Sequence, residues 1–179
     1  PEEILNRCDN ITTYLLQNHG IEALIVACNT ATSAAIKHLR EKFPFLIVIG
    51  TEPGIKPAIL NTKSLNIGVL ATPRTLKGDK YQLLVNELSI TKKVKLYEQA
   101  CIGLVEQIEK GEIDTKETFD MLQKWLHPMK NENVDTIVLG CTHYPLVEDL
   151  IKKIMGNDIT LIETGDAIAN RLKILSEQK

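Results

Sequence analysis

The sequence predicts an α/β protein built on parallel sheets. Short apolar runs alternate with helix-like segments along almost the whole chain. Those runs are continuous Ile, Leu and Val rather than alternating, as in strands covered on both faces. Two of them end in a cysteine followed by small polar residues, in IVACNTAT (25–32) and IVLGCTHYP (137–145). In a parallel sheet, such strand-to-helix junctions line the carboxyl edge where ligands bind.

The elements follow in order. Ile4, Leu5, Cys8, Ile11, Leu15 and Leu16 recur at helical spacing, which predicts a helix over 2–18 ended by Gly20. Residues 23–27 read as a strand, 31–42 as a helix ended before Pro44, and 46–49 as a second strand. Thr51-Glu52-Pro53-Gly54 turns into a short helix. A strand over 67–70 leads to Pro73, early in a helix expected to run to about residue 88. A strand over 94–97 leads to Cys101, with helices over 103–110 and 114–131 next. KNENVD is a surface loop. Strand 136–139, helix 145–154, strand 159–162 and helix 166–176 complete the chain.

Composition narrows the function classes. With 179 residues and a hydrophobic fraction of 44%, the chain can bury one large core or two small ones. A net charge of −2, 4% aromatic residues and no Lys/Arg-rich run argue against nucleic acid as a partner. No apolar run has transmembrane length and no signal peptide is evident, so neither a membrane partner nor secretion is expected. The four cysteines (Cys8, Cys28, Cys101 and Cys141) form no CxxC and no zinc spacing. A reduced, cytoplasmic protein without a metal site is expected. The chain opens at Pro1, so either an initiator Met is trimmed or the sequence starts inside a longer protein.

The two cysteine contexts echo one another. IEALIVACNT and VDTIVLGCTH each hold an acidic residue, an apolar strand, a small residue and Cys, with 113 positions between Cys28 and Cys141. That separation suggests two related half-domains. If they face each other, both sulfurs approach one cleft. A helix N-terminus carries unpaired N–H groups and partial positive charge. Free thiols ionise at about 8.5, and such positions favour the thiolate. Asn29, Thr30, Thr142 and His143 add polar groups at the same junctions. The plainer reading of a strand-end cysteine is core filler. It is the better one for Cys8, on an apolar helix face, whereas the repeated context argues against it for Cys28 and Cys141.

With both motifs in view, the chain resembles the aspartate/glutamate racemase superfamily, and within it the glutamate racemases. VACNTAT (26–32) and LGCTHYPL (139–146) carry the resemblance. Pro53-Gly54, ATPRTLKGDKY (71–81), ACIGLVEQIEKG (100–111) and ETGDAIA (163–169) support it in family order. It implies two α/β domains related by a pseudo-twofold axis with the active site at their interface. The first would comprise about 1–53 and 162–179, the second 54–161. It implies cofactor-independent racemisation of glutamate by two cysteines, feeding peptidoglycan synthesis in a bacterial cytoplasm, and a homodimer. Cys28 would serve the D-isomer and Cys141 the L-isomer, with His143 assisting Cys141. Thr72 and Thr75 match positions near the substrate carboxylate, and Glu109 an acidic residue near the site. Bland alternatives stand beside these: Thr72 as a helix N-cap, His143 bonded to a loop, Glu109 as a solvated side chain.

The match departs from the family in places. The family opens with a strand and an Asp-Ser-Gly turn, then a Pro-Tyr-Gly loop, and this chain has neither. The expectation is a fragment of a full racemase whose first domain lacks its leading strand and the aspartate that would assist Cys28. A truncated relative is the competing expectation. Ile102 stands where proline is usual, Ala71 for glycine and Gly78 for serine. Rival functions are a racemase for aspartate or a hydantoin, a non-catalytic binding relative, and a redox role for the cysteine pair.

Overall fold

The computed structural model describes residues 2–178. In chain order the elements are α1 (Glu2–His19), β1 (Ala23–Val26), α2 (Asn29–Lys42), β2 (Ile47–Gly50), α3 (Ile55–Asn61) and β3 (Asn66–Ala71). There follow α4 (Pro73–Leu76), α5 (Asp79–Lys92), β4 (Lys95–Ala100), α6 (Leu104–Glu109), α7 (Lys116–Asn131) and β5 (Thr136–Gly140). A 3-10 turn (Tyr144–Val147), α8 (Glu148–Met155), β6 (Thr160–Ile162) and α9 (Gly165–Ser176) end the series. All described strand pairs are parallel, so the α/β reading with parallel sheets holds.

The chain divides into two compact units: the residues through Glu52 with those from Thr164 on, and Pro53–Glu163. The first unit pairs β1 with β2, flanked by α1, α2 and α9. Its core is Ala35, Ile36 and Leu39 from α2 with Phe43, Leu46 and Val48, and Cys8, Leu16, Leu24 and Val26 pack against it. Cys8 is thus core filler, as its helix face suggested. Gly20 ends α1 at φ +55°, a conformation in which a side chain would be strained. Asp9 on α1 meets His38 (3.2 Å) and Lys42 of α2, tying the two helices together.

The second unit holds a four-stranded sheet in the order β4-β3-β5-β6. Its central strands are buried on both faces. Ile67, Val69, Ala71 and Val138 pack with Ile55, Ala58, Ile59 and Tyr81. Leu70, Ile137 and Leu139 pack on the opposite side with Leu104, Leu122, Leu126, Tyr144 and Ile151. Asp135, just before β5, accepts bonds from Thr62 Oγ1 (2.6 Å), Ser64 N (2.6 Å), Lys63 N (2.8 Å) and Thr136 Oγ1 (3.0 Å). These pin the loop entering β3 to the start of β5.

Three expectations need correction. The helix expected from Pro73 to about residue 88 is two helices, because Gly78 is extended (φ −72°, ψ 134°) and restarts the helix at Asp79. The helix expected from 145 opens as a 3-10 turn, with Tyr144 N bonding Cys141 O and Leu146 N bonding His143 O. Not every strand is covered on both faces: Ile25 in β1 is 40% exposed, and β4 is an edge strand with Lys95 and Glu98 outward.

Candidate functional site

In the first unit β1 ends at Val26, and Cys28 is the N-cap of α2. Its backbone is extended (φ −152°, ψ 120°), and Sγ accepts from the N–H of Ala31 at 3.5 Å. The thiol stands exposed at the positive end of a 14-residue helix. Asn29 is buried and Thr30 half-buried in the first turn of that helix.

Two residues that sequence reasoning missed hold this junction. Thr32 is 2% exposed; its hydroxyl donates to Val26 O (3.1 Å) and accepts from Thr51 N (3.0 Å). It therefore clamps the start of α2 to the carboxyl ends of both strands. Gly50 makes room for it, since a Cβ there would lie 2.4 Å from Thr32 Cγ2. The Gly-Thr pair at the end of β2 was a weak signal for such a close approach.

In the second unit Ala71, Ala100 and Gly140 stand in register at the carboxyl ends of β3, β4 and β5. Thr72, Cys101 and Cys141 therefore leave the sheet on one edge. Cys141 Sγ lies 3.8 Å from His143 Nδ1, and His143 Nε2 pairs with Glu109 Oε1 of α6. The thiol is half-buried, His143 is half-buried and Glu109 is exposed. An imidazole placed between a thiol and a carboxylate is fixed in orientation and can pass or accept a proton at the sulfur. Among the alternatives left open by the sequence, the structure pairs His143 with both groups rather than with a loop alone. Glu109, although on a surface, is not merely solvated.

Thr72 caps α4: its Oγ1 accepts from Thr75 N (3.2 Å) and lies 3.0 Å from Thr75 Oγ1. Thr72 is half-buried, Thr75 is buried and Thr142 is exposed. The cap leaves both residues on the same sheet edge as Cys141.

Cys101 is the buried member of this edge. Its thiol donates to Gln99 O (3.6 Å), and burial pushes its ionisation up to about 12. It packs with Tyr144, which is 0% exposed. Among the described residues, no cluster of three or more His, Cys, Asp or Glu is gathered to hold a metal ion, and no helix is long and apolar enough to cross a membrane.

A family model described as Asp/Glu/hydantoin racemase matches residues 3–172. A glutamate racemase of Aliarcobacter butzleri is 75% identical over 176 residues, covering 98% of this chain and 67% of the relative. One from Sulfurovum sp. is 64% identical, covering 100% of this chain and 68% of the relative. The crystal structure of Escherichia coli glutamate racemase, with L-glutamate and the activator UDP-MurNAc-Ala bound, superposes with a TM-score of 0.89 at 30% identity. It is matched over 99% of this chain and 66% of its own. The chain thus spans about two thirds of the length of these relatives.

Proposed function

The chain belongs to the Asp/Glu/hydantoin racemase family, and from that premise we propose that the protein interconverts L- and D-glutamate with two thiols and no cofactor. The observation that carries this reading is that each unit delivers one cysteine at the carboxyl end of a parallel strand, Cys28 after β1 and Cys141 after β5.

The reaction needs two groups. An α-proton beside a carboxylate is a weak acid, and a lone base returns the proton to the face it left. Here one cysteine, as thiolate, takes the α-proton and becomes a thiol. The other, as thiol, gives its proton to the opposite face of the carbanion and becomes the thiolate. The product is the inverted amino acid, and the two cysteines have exchanged protonation states. Cys141 serves the L-isomer with His143 as its proton partner, and Glu109 holds the imidazole. Cys28 serves the D-isomer. General acid–base transfer contributes about 10²–10⁴-fold, so carbanion charge must also be met by fixed donors. Asn29, Thr30, Thr72, Thr75 and Thr142 supply polar groups for that charge and the substrate's carboxylates. The reading carries with it a pair of related α/β domains with the substrate between them, a homodimeric enzyme, a cytoplasmic setting and D-glutamate for peptidoglycan.

The test is isotope exchange. The full-length protein in deuterated buffer should remove the α-proton NMR signal of glutamate and take its circular dichroism to zero, leaving aspartate untouched. Cys28→Ala and Cys141→Ala should each abolish inversion. Inversion at the parent rate by either variant would overturn the two-thiol reading. Exchange with aspartate in preference to glutamate would overturn the substrate.

A further inference from the structure

We propose that Thr32 is a positioning residue for Cys28, its hydroxyl holding that thiol in place for proton transfer. The inference rests on the proposed role of Cys28 as the group that serves the D-isomer, and deepens it.

Cys28 is exposed, so packing does not fix its side chain. Its place follows from the backbone between β1 and α2 and from the Ala31 N–H that meets its sulfur. At 3.5 Å that bond has little margin. Thr32 is next to the donor in sequence and grips the junction at both ends. Its N–H donates to Cys28 O (2.8 Å), the first bond of α2, and its hydroxyl donates to Val26 O (3.1 Å). One residue thus spans the Val26-Ala27-Cys28 exit from the strand. The same hydroxyl accepts from Thr51 N (3.0 Å). Val26–Gly50 is the last pair of the β1–β2 ladder, so the hydroxyl takes up the pairing where the strands stop.

The bond to Cys28 O lies within the helix and survives wherever the helix sits. The hydroxyl is what relates helix to sheet at the thiol. Ala35, Ile36 and Leu39 also hold α2, but apolar packing is non-directional. Arg40 Nε bonds Val48 O (3.1 Å) toward the far end of the helix. Without the Thr32 hydroxyl, Val26 O keeps the longer bond from Thr51 Oγ1 (3.5 Å), and the first turn can shift. The Ala31 N–H shifts with it, and small displacements at a reacting group are costly. Gly50 guards the same tie from the sheet side. A Cβ there would meet Thr32 Cγ2, Thr32 Oγ1 (3.0 Å) and Ile36 Cδ1 (3.0 Å), driving the hydroxyl off Thr51.

Two readouts test this on the full-length parent, Thr32→Val, Thr32→Ser and Gly50→Ala, each below its melting onset. Iodoacetamide modification of every cysteine peptide is followed by mass spectrometry at neutral pH. In Thr32→Val and Gly50→Ala, Cys28 should react about fivefold more slowly, as for loss of one hydrogen bond to the sulfur. Thr32→Ser should restore the parent rate, and Cys141, in the other unit, should not change. Turnover supplies the second readout. Racemisation of α-deuterated D-glutamate begins with transfer to Cys28, whereas that of α-deuterated L-glutamate ends with transfer from it. A displaced Cys28 slows its own step, so in Thr32→Val the deuterium effect on kcat/KM should rise from the D-isomer and fall from the L-isomer. A merely structural role lowers the amount of active protein and moves neither effect. Parent-like alkylation of Cys28 in both Thr32→Val and Gly50→Ala would overturn the proposal, as would deuterium effects that stay at the parent values. If alkylation moves as stated while glutamate is not racemised, the positioning role stands and the racemase reading falls.

Discussion

Replacing Gly140 with alanine probes the junction that sets Cys141, because its cost can be worked from the backbone. An added Cβ would stand 2.8 Å from Leu70 O and 2.9 Å from Ala71 Cβ. Both neighbours belong to β3, which is in register with β5 through Leu70–Leu139 and Ala71–Gly140, and both are 0% exposed. Neither can retreat without opening the centre of the sheet. Overpacking of this kind costs about 1–3 kcal/mol. The reduced freedom of the unfolded chain returns about 0.4–1 kcal/mol. A net loss of about 1–2 kcal/mol follows, or roughly 2–8 °C in melting temperature for a protein of this size. Gly68→Ala is the control, since its nearest neighbours are side-chain ends, Met129 Sδ at 2.9 Å and Ile137 Cγ1 at 3.0 Å. Methionine yields easily, so that variant should lose less. Gly140→Ala should also slow racemisation about tenfold or more, because small displacements of a reacting group are costly. Thermal melts followed at 222 nm decide the matter. If Gly140→Ala melts at or above the parent temperature, or Gly68→Ala is the weaker of the two, the argument from a rigid strand edge is wrong.

Two further perturbations test the scaffold. Burial would raise the Asp135 carboxyl, but bonds from Thr62, Ser64, Lys63 and Thr136 outweigh it and hold ionisation at about 2 against an ordinary 3.8. A lowered value means that the stabilisation is present above 3.8 and fades as pH falls toward 2, so, discounted for solvent screening, Asp135→Asn should lose roughly 1 kcal/mol at pH 7 in urea titrations and much less at pH 2.5; a gap that does not narrow with acid refutes this. Thr32→Val keeps the shape but strands Thr51 N in a buried junction and leaves Val26 O only the longer bond from Thr51 Oγ1 (3.5 Å), and should cost about 1–3 kcal/mol with Thr32→Ser recovering most of it; accelerated hydrogen exchange at the Thr51 amide is the direct readout.

What the sequence made legible was local. A continuous apolar run followed by Cys and small polar residues identifies a parallel strand reaching a sheet edge, and both Cys28 and Cys141 stand there. The cap at Thr72 was equally local, since Thr-Pro sets N-cap and first helical residue together. The helix break at Lys77-Gly78 was not, because glycine within a helical pattern signals a break only weakly. Contacts between distant segments were least visible. Glu109 meets His143 only because α6 packs beside the 3-10 turn, and Thr32 reaches the end of β2 only because Gly50 has no side chain. Tyr144 is the extreme case, since tyrosine at a loop reads as amphipathic surface until tertiary packing buries it completely.

The two thiols are positioned by different devices, and that difference fits a reaction in which they exchange roles. Cys28 is itself the cap of α2, with a backbone N–H donated to its sulfur. Negative charge on Cys28 is met by the dipole of α2 and the Ala31 N–H. Cys141 stands ahead of a 3-10 turn too short to act as a helix dipole, and it has an imidazole at 3.8 Å instead. Charge on that sulfur is met by a group that can itself carry a proton and is held by Glu109. A racemase must begin each direction with one sulfur charged and the other protonated. Two identical sites would divide a single proton evenly, and half of the molecules would be in the wrong state for a given isomer. On the proposed two-thiol reading, unequal surroundings favour one defined starting state, with the imidazole beside Cys141 as its proton partner. The internal echo in the sequence is thus a likeness of position, and the surroundings differ where the echo breaks: Asn29-Thr30 after one cysteine, Thr142-His143 after the other.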